Sequence, residues 1–111
     1  MEEKIRRAAE LITSSRHVVA FTGAGHSTAS GIPDFRSPES GLWAKYNPML
    51  VASMWAFRLN PKTFYDWIRP LADTMLSARP NLAHQALAEL EAMGFMRTVI
   101  TQNIDNLHQR A

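Results

Sequence analysis

The chain has 111 residues, enough for one small domain that would bury roughly 60–70% of its unfolded surface. With 46% apolar and 20% charged residues it has the composition of an ordinary globular protein, neither disordered nor a bundle of membrane spans. A formal net charge of +2, with acids and bases interspersed, leaves no basic stripe for nucleic acid, and the lack of cysteine excludes disulfides and thiolate metal sites.

The acidic start Met1-Glu2-Glu3 differs from a secretory signal, and no apolar run is long enough to cross a bilayer. No membrane partner is expected, and the cytoplasm is the expected compartment. Ile5, Ala8, Ala9 and Ile12 recur at helical spacing and predict a helix over residues 2–14 with one apolar stripe. The apolar run 17–22 then predicts a buried parallel strand.

That strand runs into Thr22-Gly23-Ala24-Gly25-His26-Ser27-Thr28-Ala29-Ser30. Gly23 and Gly25 permit a sharp turn and a close backbone approach, and the small residues after them leave backbone N–H groups open to a phosphate. A strand, a Gly-x-Gly turn and small residues opening a helix is a common way to hold a nucleotide pyrophosphate. A Rossmann fingerprint would place a third glycine at position 28, where this chain has Thr28, so a plain tight turn is the alternative at this point.

Residues 33–50 contain Pro33, Pro38, Gly41 and Pro48, too many breakers for a long regular element. A segment of that length between regular elements is more often functional or mobile than idle. A helix is expected over residues 61–77, with Phe64, Ile68, Leu71 and Met75 on one side and Pro70 kinking or interrupting it. Pro80-Asn81 opens another, with Leu82, Ala86, Leu87 and Leu90 as its buried stripe and Gly94 as its stop. A second strand follows over 97–101, and 105–110 starts a helix. The fold class expected is α/β, a partial doubly wound parallel sheet. In such sheets ligands sit outside the C-terminal strand ends, so the glycine loop and Gln102-Asn103-Ile104-Asp105 are expected at one crevice.

Three blocks carry a family resemblance. The stretch from Gly23 through Gly31-Ile32-Pro33-Asp34-Phe35-Arg36, the segment Pro80-Asn81-Leu82-Ala83-His84, and Thr101-Gln102-Asn103-Ile104-Asp105-Asn106-Leu107-His108 occur in that order. Together they closely resemble the N-terminal signatures of the sirtuins, the NAD-dependent protein lysine deacylases. The resemblance covers residues 18–111 and implies a Rossmann-like NAD-binding domain of which residues 1–111 are the N-terminal portion, truncated before the second half of the fold. Only two strands are expected here, too few for a covered parallel sheet, which agrees with truncation.

The resemblance also implies the chemistry. The acyl-lysine carbonyl oxygen attacks C1′ of the nicotinamide ribose, nicotinamide leaves, and the acetyl group ends on ADP-ribose. Asn103 and Ser27 would support the reacting ribose and its water. The cofactor-binding set would be Gly23, Ala24, Gly25, Ile32, Asp34, Phe35, Arg36, Gln102, Asn103, Ile104 and Asp105. Within it the backbone of Gly23, Ala24 and Gly25 lines the pyrophosphate, and Asp105 takes the nicotinamide carboxamide with Ile32 beside it. Phe35 covers the sugar, Arg36 faces phosphate and ribose oxygens, and Gln102 reaches the ribose hydroxyls.

Each of these residues also has a plainer reading. Asp105 would serve as an N-cap worth about 1 kcal/mol. Arg36 would be a solvated charge, Phe35 a core aromatic, and Ser27 and Asn103 local backbone hydrogen-bonders.

Sirtuins use a histidine general base that follows the second motif, beyond the last residue of this chain. Their zinc-binding cysteines come later still, so zinc is expected only outside these residues and no metal site within them. His17, His84 and His108 are read as structural. His26 stands where sirtuins usually have Ile or Val, and burying its imidazole without a partner would cost on the order of 1–3 kcal/mol. Ile68 and Leu71, rather than the Tyr65 and Arg69 pair, fall where acid-selective sirtuins carry a tyrosine and an arginine, which favours acetyl-lysine proteins or peptides as substrate. The chain alone is expected to be inactive. A non-catalytic NAD-binding fragment and a protein ADP-ribosyltransferase on the same fold are the alternatives.

Overall fold

The structure is a computed structural model that describes all residues, 1–111. Its backbone divides into two compact units, one formed by Met1–Gly23 with Pro80–Ala111 and the other by Ala24–Arg79.

The first unit holds α1 (Glu2–Ser14), β1 (Val18–Thr22), α6 (Leu82–Ala92), β2 (Met96–Thr101) and α7 (Leu107–Arg110), labels that count along the whole chain. The two strands pair in parallel, with Ala20 opposite Val99, Phe21 opposite Ile100 and Thr22 opposite Thr101. Parallel pairing needs a long crossover, and the polypeptide between Thr22 and Met96 supplies it. The register puts both C-terminal strand ends at one edge, where Gln102 N–H continues the ladder by donating to Thr22 O at 3.0 Å.

Packing departs from the sequence patterns in three places. The stripe expected on α1 is largely uncovered: no residue of this helix is buried, Ile5, Ala8 and Ala9 are exposed, and Ile12 is half-buried. In α6, Leu82 is 82% exposed and Ala86 exposed, while His84 is buried in their place. The cause lies at the N-terminus of the helix. Asn81 Oδ1 accepts from the N–H groups of Ala83 (2.9 Å) and His84 (3.3 Å), and His84 Nδ1 accepts from Asn81 N–H at 3.2 Å. This reciprocal box satisfies orphan donors of the first turn and pulls the imidazole inward. On the sheet, Val19, Phe21 (71% exposed) and Ile100 leave one face without cover. His17, read as structural, precedes β1 and is exposed.

The second unit holds a 3₁₀ helix (Ala24–Ser30) and α2 (Leu42–Lys45), α3 (Pro48–Val51), α4 (Met54–Leu59) and α5 (Pro61–Ser77). The segment 33–50 is thus irregular only to residue 41, after which Gly41, Pro48 and the Asn47 cap punctuate very short helices. Pro70 does not interrupt α5, which runs through it for 17 residues. The missing N–H and ring clash of a mid-helix proline cost about 3 kcal/mol or more. Partial burial of Phe64, Ile68, Leu71 and Met75 on both sides of it offsets that cost. An aromatic cluster organises the unit: Trp43 stacks on Trp67 with centroids 5.9 Å apart, and Phe57 meets Phe64 edge-on at 5.3 Å. No helix in the structure is long and apolar enough to cross a membrane.

The capping box gives a direct test. Replacing Asn81 with Ala should lower stability by about 1–2 kcal/mol, seen as a reduced urea midpoint at unchanged slope.

Candidate functional site

In the first unit the strand ends bring the glycine turn and the second motif together. The Asn103 side-chain amide donates to Gly23 O at 2.9 Å, a bond spanning 80 residues of sequence. A Cβ built on Gly23 would lie 3.2 Å from Gln102 Nε2, so this glycine lets the two loops approach closely. Asn103 N–H in turn donates to Thr101 Oγ1 at 3.0 Å.

Asp105 is nearly buried, at 9% exposure, and its Oδ1 accepts from Leu107 N–H at 3.0 Å. The sequence placed the start of the last helix at 105. The structure starts it at Leu107, with Asn106 in the left-handed conformation (φ 62°) as the cap residue. Asp105 therefore does have the structural role of its plainer reading, as acceptor for the first turn. Ile104, by contrast, is 84% exposed, and Gln102 is exposed.

In the second unit Ala24, Gly25, His26 and Ser27 form the first turn of the 3₁₀ helix rather than of an α-helix. Thr28 Oγ1 donates to Gly25 O at 2.9 Å, tightening that turn. A Cβ at Gly25 would meet no atom within 4 Å, so the backbone there faces open space. Ser27 is 1% exposed and Ile32 is buried, whereas Phe35 (40%) and Arg36 are exposed. His26 is half-buried.

Asp34 anchors the loop that carries Phe35 and Arg36. Its Oδ2 accepts from Ser37 Oγ at 2.6 Å, and its carbonyl accepts from Leu42 N–H at 2.8 Å. Trp43 N–H donates to Phe35 O at 2.9 Å, and the two rings lie 5.3 Å apart. Asp34 thus acts within the loop itself, and Trp43, absent from the sequence-derived set, is the residue that holds Phe35. Its aromatic character was the only signal in the sequence. Arg69 lies 6.0 Å from the Tyr65 ring centroid, on the exposed side of α5, while Ile68 and Leu71 are half-buried.

The polar groups of each unit are of the kinds that meet a dinucleotide. Segment 23–33 contains no acidic side chain to repel a pyrophosphate, and its backbone is open at Gly25. In the first unit, amide and carboxylate groups stand at Asn103 and Asp105. A family model described as the Sir2 family matches residues 23–111. The chain belongs to the Sir2 family.

It is 55% identical over 111 residues to NAD-dependent protein deacylase 2 of Archaeoglobus fulgidus, covering 100% of this chain and 43% of that protein. It is 56% identical over 106 residues to an NAD-dependent protein deacetylase of Caldivirga maquilingensis, covering 96% and 40%. A solved structure from work on the mechanism and regulation of Sir2 enzymes superposes with a TM-score of 0.89 at 55% identity, covering 99% of this chain and 43% of that one. A Sir2 complex with a p53 peptide and NAD+ gives a TM-score of 0.79 at 43% identity, covering 96% and 41%. The chain therefore spans about two fifths of the length of these Sir2-family relatives, and its fold is the matching part of their Rossmann-like α/β architecture.

Gly41 is where the loop of the second unit tolerates least change. A Cβ there would fall 2.6 Å from both Ser37 N and Ser37 O and 2.9 Å from Phe35 C, all backbone atoms. Gly41→Ala should destabilise the chain by about 1–3 kcal/mol. Phe35 fluorescence being weak, the accompanying displacement is best read as a changed near-ultraviolet dichroism of Trp43.

Proposed function

We propose that the protein carrying these residues is an NAD-dependent protein lysine deacetylase of sirtuin type, which transfers the acetyl group to ADP-ribose and releases nicotinamide. The observation that carries the reading is the bond from Asn103 to Gly23 O, because it fixes the second motif beside the glycine turn. The names of the Sir2 relatives and the solved complex with peptide and NAD+ support the same reading.

In this reading NAD supplies the ribose carbon to which the acyl oxygen adds. The chain's own residues bind and orient it. The open backbone at Ala24 and Gly25 receives the pyrophosphate, with Gly23 leading into the turn. Asp105 accepts from the nicotinamide carboxamide, whose N–H groups match a carboxylate held in low dielectric. Ile32 gives the ring an apolar neighbour. Asn103 and Ser27 orient the ribose and its water, and Gln102 meets the ribose hydroxyls. Arg36 offers a fork of donors to anionic oxygens, while Phe35, held by Trp43, excludes water from the sugar. Ile104 is placed at the surface of the same loop, where it would touch ligand rather than core. Zinc, where the protein holds it, would have to use ligands other than cysteines of these 111 residues, which include none.

Isothermal titration of NAD into the chain tests the reading, with Asp105→Asn and Asp105→Ala compared. Asparagine keeps an acceptor for Leu107 N–H but loses the charge, so it separates binding from the local cap. Saturable binding, weakened by about ten- to a hundredfold in both variants, is the expected result. Binding unchanged by Asp105→Asn would remove Asp105 from the cofactor site.

Ile68 and Leu71 give the acyl pocket an apolar wall in this reading. Assayed in the protein in which the chain occurs, deacetylation should outrun desuccinylation. The reverse order would refute that assignment.

A further inference from the structure

A run of hydrogen-bonded side chains in the first unit has no part in the cofactor set. Thr22 Oγ1 and Thr101 Oγ1 share a hydrogen bond at 2.8 Å, and His108 Nε2 lies 2.8 Å from the same Thr22 oxygen. Thr101 Oγ1 also receives Asn103 N–H at 3.0 Å. The run therefore passes from α7 across β1 to β2 and ends at the backbone of Asn103, whose side chain holds Gly23 O. Thr22 is buried, and His108 and Thr101 are half-buried, so these bonds are shielded from water.

Two proton arrangements complete the run. A threonine hydroxyl has one proton to donate and can also accept. Either Thr22 donates to Thr101 and His108 Nε2–H donates to Thr22, or Thr101 donates to Thr22 and Thr22 donates to an unprotonated Nε2. The ring is held from a second side, edge-on to His84 with centroids 4.8 Å apart, and His84 is itself fixed by its bond from Asn81 N–H.

We propose that His108 is a positioning residue, whose Nε2 anchors the Thr22–Thr101 pair and, through it, the backbone of Asn103. Its bearing on activity rests on the function proposed above, in which Asn103 orients the ribose. The competing view, that His108 only fills space beneath α7, makes different demands on the side chain. A filler tolerates phenylalanine. A hydrogen-bonding anchor does not, but it tolerates glutamine, whose amide can donate or accept at about the reach of Nε2.

The measurement is amide exchange at Asn103, compared with Ala20 in the middle of β1, in His108→Phe, His108→Gln and Thr22→Val. His108→Phe and Thr22→Val should speed exchange at Asn103 by about five- to tenfold and leave Ala20 unchanged, with NAD affinity falling by a similar factor. His108→Gln should stay within about threefold of wild type on both readouts.

Wild-type exchange at Asn103 in His108→Phe would overturn the proposal whatever happens to NAD. If the wild-type chain fails to bind NAD while Asn103 exchange responds as expected, the positioning role stands and the deacetylase reading is what fails.

Discussion

The parallel pairing of β1 with β2 is the constraint on which the first unit depends. Its register sets Thr22 opposite Thr101, so both chains leave the sheet at the same edge and at the same height. Every cross-loop bond that follows requires this: Gln102 N–H to Thr22 O, Asn103 to Gly23 O, and the hydroxyl pair of Thr22 and Thr101. A shift of one residue would turn each threonine to the other face and leave the Gly23 carbonyl and Asn103 amide unmatched. Each bond is worth only about 1 kcal/mol by itself, but buried polar groups left unpaired cost more than that. The register is thus held by what failure would expose as much as by what success gains.

The second unit is organised by a different force. Its helices α2, α3 and α4 are too short to persist alone, since helix nucleation is unfavourable and several turns are needed to recover it. They are held by caps from Asn47 and Ser53, which accept from Met49 and Ala56, and by aromatic packing around Trp43, Trp67, Phe57 and Phe64. Phe35 joins that cluster through Trp43, and Asp34 ties the loop to the start of α2. An exposed aromatic on such a loop is poised by its neighbours rather than by its own burial.

Individual residues show how single side chains hold the backbone around them. Asp105 accepts a backbone N–H that opens α7, as its position before a helix suggests, and is nearly buried while doing so. His84 has a structural role, since its ring completes the capping box of α6. His108 is structural in another sense, bonded to a strand residue 86 positions away.

What the sequence determined by itself was local or strongly patterned. The glycine turn after an apolar run, the Asn81 cap, the stop at Gly94 with its φ of +81° and the two strands within a residue of their ends all follow from short-range chemistry. The family blocks were equally legible, because they are contiguous. The tertiary structure alone decided which apolar faces found cover: Ile5, Leu82 and Phe21 carry the periodicity of a core yet stay exposed, since periodicity states what a face could bury and not whether a partner meets it. It also decided that α5 continues through Pro70, where packing outweighs a local preference, and that Thr22, Thr101 and His108 share a chain of bonds. Contacts across 79 and 86 residues leave no mark in local pattern. They exist only once the parallel register has brought the strand ends together.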